Sequence, residues 1–410
     1  MSKTNRVKKD SSKLIINEKL KKNINKDYMF SFLRSFDLTS GVWMLYLAYR
    51  GLSLFEIGLM ESIYHLSSFM MEIPTGMIAD IYGRKTSRSL GRIANILSTL
   101  MMILSNDVMY FAIGFILQAL GNNLESGAGE ALVYDSMKEN HEEENFMKIK
   151  GRQEFFFQLA RSMALLVGGY FATLDYAYVY KVAIVISAVS FFQSLSFVEP
   201  NMGKVDLDES AYKTFKNQFV NSVNVIKNDM RIAFFILSTE AIATFVTTEY
   251  FYIQNYLKSI GRNEFQIGIL LSFGAAASII AGLNTHRIEK KFKFSGILYT
   301  SLIVSAISFW TITFKGMTEV SMVIITMSES VLFIATSDYI NKLIPSEQRA
   351  TVLSFQSMAF SFYMILLFPV VGKIGDLYGL INSFRVIAII STITILFIAK
   401  IYSNNKMQKK

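Results

Sequence analysis

Glu72-Ile73-Pro74-Thr75-Gly76-Met77-Ile78-Ala79-Asp80-Ile81-Tyr82-Gly83-Arg84-Lys85 decides how this chain reads. An apolar run ends here in small residues, one acid, a glycine and a basic pair. Glycine permits the tight turn out of the run, and small residues permit close helix packing in lipid. The burst of positive charge marks the point where the chain leaves an apolar solvent for water.

Composition points the same way. Only 18% of the 410 residues are charged and 52% are hydrophobic, whereas soluble domains carry roughly 25% charge. The apolar residues gather in runs of about 18 to 25, the length that crosses a bilayer core. The first 27 residues are polar and Lys-rich and lack the pattern of a cleaved signal peptide. A net charge of +9 raises the question of nucleic acid, but its distribution answers it. The cations cluster in alternate loops, so no nucleic-acid partner is expected. With no cysteine and three histidines, the chain offers no disulfide, no thiol chemistry and no evident metal site.

Twelve helical spans are expected, near 28–49, 56–79, 89–105, 109–134, 153–174, 178–198, 231–256, 265–285, 295–315, 319–340, 351–373 and 380–401. Thirty-two Lys and Arg residues fall on one side of this layout, against seven on the other. Both termini are therefore expected in the cytoplasm. The polar stretch 199–230 divides the spans into two sets of six. The expected organisation is a basic tail (1–27), a six-helix bundle (28–198), a linker (199–230), a second bundle (231–402) and a short tail (403–410). A faint repeat supports duplication. Phe55-Glu56-Ile57-Gly58 opens span two, and Phe265-Gln266-Ile267-Gly268 opens span eight.

These residues resemble the major facilitator superfamily. Its loop signature reads here as Gly76, Asp80, Gly83, Arg84 and Lys85, between spans two and three. Pro345-Ser346-Glu347-Gln348-Arg349-Ala350, between spans ten and eleven, is also similar to that superfamily. The Glu-x-Pro-Thr-Gly lead-in most resembles the twelve-span bacterial drug:proton antiporters, including tetracycline-type exporters of Gram-positive anaerobes. Two features depart from the pattern. Leu117 and Gln118 stand where a span-four arginine is expected, and Leu165 stands where a proline should precede Gly168-Gly169. The resemblance implies an all-α membrane protein of twelve helices in two pseudo-symmetric six-helix halves. It also implies that Asp80 rests on the start of span eleven, near Arg349, and that Arg84 reaches Asp135. Together these would form a cytoplasmic latch, with Gly76 and Ala79 as a packing face.

Ionisable residues inside spans are costly and therefore functional candidates. In span two, Glu61, His65, Ser68 and Glu72 follow helical spacing and form one polar stripe. Arg34 and Asp37 are helix neighbours in span one, either a neutral pair or a coupling acid beside a cation. One of the span-four glutamates, Glu125 or Glu130, is the expected partner of Arg161 in span five; the two lie about 140° apart around the helix and are not expected to serve one site. Glu240 in span seven and Glu329 in span ten are candidate cation contacts, and Asp338 is expected to pair with loop cations such as Arg287. Asp37, Glu125, Glu130, Arg161 and Glu61 are thus the candidate proton-coupling groups. His65, Glu240, Glu329 and Arg34 are the candidate substrate groups.

An enzyme is not expected. The chain has no Gly-x-Ser-x-Gly, no His-x-x-x-His pair and no phosphate-binding loop of the Walker type. The leading expectation is a monomeric carrier in a bacterial plasma membrane that exchanges protons for a drug-like or cationic amphipathic small molecule, without cofactor or metal. A symporter or uniporter for a metabolite such as a sugar or peptide is the alternative. A non-transporting sensor is the remote one, because the tails are too short for a signalling domain.

Overall fold

The computed structural model describes residues 3–104, 106–200, 229–344 and 349–403. Within them the chain is all-helical. The helices are α1 (Lys3–Ser35), α2 (Trp43–Tyr49), α3 (Leu54–Tyr82), α4 (Arg84–Leu104), α5 (Val108–Glu139), α6 (Phe146–Leu174) and α7 (Tyr176–Ser194). They continue as α8 (Met230–Ser259), α9 (Glu264–Thr311), α10 (Thr318–Leu343), α11 (Arg349–Tyr378) and α12 (Leu380–Ser403).

Side chains fix where these helices start. Asp107, Asp175 and Asp229 each accept a backbone N–H from the first turn of α5, α7 and α8. Asp229 also takes the Arg231 guanidinium, which holds its carboxyl below the usual carboxylate range. The faint Phe-Glu/Gln-Ile-Gly repeat proves to be a pair of capping boxes. Glu56 accepts the Ser53 N–H at 2.8 Å while Ser53 Oγ accepts the Glu56 N–H at 3.2 Å. Gln266 and Asn263 exchange the same two bonds at 3.1 and 2.9 Å.

Three expected spans differ in detail. Span one is not continuous: helix stops at Ser35 and resumes at Trp43. Such a break survives at membrane depth only where protein covers it. Leu38 and Val42 are fully buried, and the Leu38 carbonyl lies where a Cβ on Gly168 of α6 would be. Gly168 is therefore the seat of the break. Spans eight and nine run on as α9, bent at Lys293, whose φ of 57° lies in the left-handed region. The N-terminal stretch expected as a tail is helical from Lys3 onward.

Packing divides the chain into two compact units. The first comprises residues 1–40 and 67–211, the second 41–66 and 212–410. In the first, α4 packs on α5 and α7, and α1 on α5, α6 and α7. In the second, α8 touches α2, α9, α10, α11 and α12 and forms the hub. Large apolar side chains such as Phe192, Leu283, Leu396 and Phe397 stand more than 60% exposed. Water would penalise such a surface and lipid does not. Seven described segments, from α6 onward, are long and apolar enough to cross a membrane. The more polar α4 and α5 meet through two ion pairs, Arg84 with Asp135 and Arg88 with Glu125.

Candidate functional site

The quoted segment closes α3. Gly83 adopts φ +97°, the left-handed geometry that glycine tolerates best, and α4 starts at once. The exposed N–H groups of that start have a partner the sequence did not reveal. Glu199, just past α7, accepts the Arg84 N–H at 2.7 Å and the Lys85 N–H at 2.8 Å. A carboxylate at a helix N-terminus satisfies free donors and complements the dipole. A Cβ on Gly83 would lie 2.8 Å from the Glu199 carboxyl carbon, so the turn and the cap require each other. The Arg84 side chain reaches Asp135 of α5 at 3.0 Å, with both groups largely covered.

Gly76 does not form the expected packing face: a methyl group there would meet nothing within 4 Å. Ala79 is buried. Asp80 is exposed on the last turns of α3. Arg349 opens α11, but its side chain, and Pro345 through Gln348 before it, lie outside the described residues.

Four residues further into α4, Arg88 sits at the centre of the first unit. Its side chain is 1% exposed. Nη1 meets Asp27 of α1 at 2.7 Å, and Nη2 and Nε meet the two oxygens of Glu125 at 3.0 and 3.3 Å. The guanidinium lies over the rings of Phe30 and Phe197, at 4.1 and 4.6 Å. A planar, weakly hydrated cation suits this double role of forked hydrogen bonding and ring stacking. Asp27 also accepts from Ser31 Oγ and Gln153 Nε2. Arg34 approaches Glu125 at 3.9 Å and restores neutrality to the group. A cavity of about 140 Å³ opens beside it, lined by Arg34, Glu125, Glu130 and Lys150 among others. Arg92, one turn deeper, is 4% exposed, and its Nε finds no hydrogen-bond partner among the described residues.

This arrangement corrects the expected pairing of span four with span five. Glu125 pairs with Arg88 and Arg34, and Glu130 pairs with Lys150 at 2.6 Å. Arg161 lies on the exposed face of α6 and pairs with neither. An interior arginine does serve the glutamate, but it comes from α4. Arg34 and Asp37 do not pair either. Asp37 sits in the break after α1, where one carboxylate oxygen accepts from the N–H and hydroxyl of Thr39 at 2.9 and 2.7 Å. The break has carried Asp37 off the helical face it would have shared with Arg34. Asp338 pairs with Lys342 on its own helix rather than with Arg287.

The stripe on α3 is only partly polar inside. Glu61 meets His65 at 3.4 Å, and His65 Nδ1 lies 3.2 Å from Ser361 Oγ. Tyr64 and Phe360 stand edge-on to the imidazole. Ser68 bonds Asn123 twice, at 2.8 and 2.6 Å. Glu72 is exposed. In the second unit, Glu240 is 5% exposed and accepts from Gln356 Nε2 of α11 at 2.6 Å. Glu329 is half-buried on the adjacent α10. Glu249, on the opposite face of α8, is 1% exposed, and both its oxygens lack hydrogen-bond partners among the described residues.

Long helices that expose apolar surface and pair their charges inward define a multi-pass membrane protein. Residues 28–367 match the profile of the Major Facilitator Superfamily, and the chain belongs to that superfamily. It is 24% identical over 386 residues to YxaM, an MFS-type transporter of Bacillus subtilis (strain 168), covering 90% of this chain and 93% of that one. The solved structure of the nucleoside transporter NupG superimposes with a TM-score of 0.76 at 14% identity, covering 93% of this chain and 99% of NupG. A POT family transporter in complex with 5-aminolevulinic acid gives 0.72 at 14% identity, covering 95% and 97%. These structural likenesses establish the fold. The protein is a secondary transporter of a small molecule.

Proposed function

We propose that this transporter exchanges protons for a cationic or amphipathic small molecule and exports it by alternating access. One observation carries the reading: Glu240 is buried in the second unit with a neutral amide, Gln356, as its hydrogen-bonding partner. An anionic carboxylate in so apolar a place is costly unless a cation or a proton neutralises it. A group that must accept one or the other suits a carrier that trades them. Glu125, Glu130, Asp37 and Glu61 are the further coupling acids, and His65, Glu329 and Arg34 the further substrate contacts. Asp80, Arg84 and Asp135 are the latch that changes with the side of opening. Both termini face the cytoplasm of a bacterial cell in this reading.

Uptake of a nucleoside- or peptide-like metabolite is the second reading, favoured by the names of the structural neighbours and by Arg92, a buried cation whose Nε has no hydrogen-bond partner among the described residues. The test is expression in a drug-sensitive bacterium, scored against a panel of cationic antibiotics and dyes. Export predicts raised inhibitory concentrations that Glu240→Gln abolishes. If no compound loses potency while labelled nucleosides or dipeptides accumulate, the export reading fails.

A further inference from the structure

The segment that closes α3 has a second copy in this chain. Gly76-Met77-Ile78-Ala79-Asp80-Ile81-Tyr82-Gly83 and Gly372-Lys373-Ile374-Gly375-Asp376-Leu377-Tyr378-Gly379 agree at five of eight positions. Two more positions keep the character of the residue, Ala79 against Gly375 and Ile81 against Leu377. Each copy ends a proline-containing helix at its tyrosine. Each then turns on a left-handed glycine, Gly83 at φ +97° and Gly379 at +83°. The first copy runs on into Arg84-Lys85, the second into Leu380-Ile381. Spans two and eleven cross the membrane in opposite directions, so the copies end on opposite faces. Three-helix units of inverted topology, nested in this fold, put spans two and eleven in equivalent places. The missing basic pair is what the non-cytoplasmic face requires.

The second copy has its partner in view. Asp376 accepts the Leu54 N–H and the Phe55 N–H, one on each carboxylate oxygen, both at 2.9 Å. The Ser53–Glu56 capping box takes the flanking donors. All four N–H groups at the start of α3 are thus satisfied, two of them by a residue more than 300 positions away. The contact continues down both helices. A Cβ on Gly372 would overlap the Leu54 carbonyl, and one on Gly58 would lie 2.6 Å from Pro369 Cα. The Tyr252 hydroxyl of α8 lies between the carbonyls of Leu54 and Phe368, at 3.1 and 2.9 Å, and its one O–H is shared between them. Pro369 has no N–H to give the Ile365 carbonyl, and Ser62 Oγ donates to it instead at 3.0 Å. His65 and Ser361 close the row.

We propose that Asp376 is the outer gating residue of the transport cycle, clamping the start of α3 onto the end of α11 while the outer face is shut. It is a positioning residue: it touches backbone and need not touch substrate. Opening outward requires residues 54–66 to leave α11, and the Asp376 bonds are the first to break. The proposal rests on alternating access and on cytoplasmic termini, and on no particular substrate or coupling ion.

The chain has no native cysteine, so a single introduced thiol reports unambiguously. Ser62→Cys places one beneath the clamp, at a site 8% exposed. Lys315→Cys, in the exposed α9–α10 turn on the same face, controls for insertion and orientation. Whole cells are treated with a membrane-impermeant maleimide. Losing an N-terminal cap changes a two-state ratio about fivefold to thirtyfold. Asp376→Ala is expected to raise the Ser62→Cys labelling rate by that factor. Asp376→Asn, which keeps an acceptor but no charge, should fall between it and the parent, and Lys315→Cys labelling should not change. The proposal is overturned if Asp376→Ala labels Ser62→Cys at the parent rate. Should the alanine variant fail to reach the membrane, the same result with Asp376→Asn decides. Labelling of Lys315→Cys only in inverted vesicles would also overturn it, by reversing the faces. No substrate or pH gradient enters the assay, so its outcome is separate from that of the export reading.

Discussion

Removing Arg88 tests whether the first unit depends on its buried charges. The guanidinium neutralises Asp27 and Glu125, which are both 2% exposed in their side chains. Arg88→Ala would leave two carboxylates in a site with little water. Arg34 offers Glu125 partial relief from 3.9 Å. At that distance a pair is worth about 4 kcal/mol at an effective dielectric constant of about 20. Asp27 keeps only neutral donors, Ser31 and Gln153. Breaking a buried pair in this way costs about 3–5 kcal/mol, and the Phe30 and Phe197 rings lose their cation as well. Arg88→Lys should cost less than alanine, because it keeps a cation between the carboxylates, but should not match the parent, because a point charge cannot serve both at once. The neutral combination Asp27→Asn, Arg88→Met and Glu125→Gln should recover most of the loss. The assay is reversible unfolding in mixed micelles, read for the three variants in one denaturant series. The reasoning is refuted if Arg88→Ala unfolds with the parent, or if the neutral combination is no better than Arg88→Ala alone.

Other outcomes follow from the same geometry. Gly83→Ala forces a left-handed alanine against Glu199 and should cost about 1–2 kcal/mol for the backbone alone. Glu199→Ala removes the α4 cap and should cost about 0.5–2 kcal/mol in the same micelle assay. In a Glu199→Ala background the added penalty of Gly83→Ala should shrink, since the carboxyl it strikes is gone; full additivity would contradict that coupling. Asp135→Asn leaves the Arg84 guanidinium, 15% exposed in its side chain, without its anion, and should slow transport while sparing surface expression; normal turnover would remove Arg84 from the gating account. Arg161→Ala, on the exposed face of α6, should leave both turnover and stability within error of the parent.

The span pattern was legible because lipid imposes it: length and hydropathy announce a crossing whatever the helix packs against. The Arg84–Asp135 contact was legible through family resemblance. Three features were not. Arg88 and Arg92 follow Arg84 and Lys85 so closely that the charge count places all four on the cytoplasmic side, at the mouth of span three. In the structure α4 begins at Arg84, and one turn carries Arg88 out of water. Charge counting alone cannot separate a loop cation from a buried one four residues on. The break in span one has a local signal in Asp37, Thr39, Ser40 and Gly41, which favour turns, but the apolar length of 28–49 outweighs it. The cover supplied by Gly168, distant in sequence, permits the break. Glu199 looked like the first acid of a linker, since nothing local indicates that it caps another helix. Each omission is a long-range contact, and sequence patterning reports only which face a residue is on. The expected pairing of a span-four glutamate with Arg161 failed for the same reason: Glu125 and Glu130 do pair with cations, but these come from α4 and from Lys150, while Arg161 is exposed.

In the proposed cycle a buried acid of α8, Glu240, trades protons for a cationic substrate. Everted membrane vesicles, acidified inside by respiration and monitored with a pH-sensitive fluorophore, test it most directly. Addition of lipophilic cations should dissipate the gradient in vesicles carrying the parent chain, and should leave it intact in vesicles carrying Glu240→Gln at equal abundance. A gradient that no compound disturbs, or an equal response from Glu240→Gln, would contradict the account.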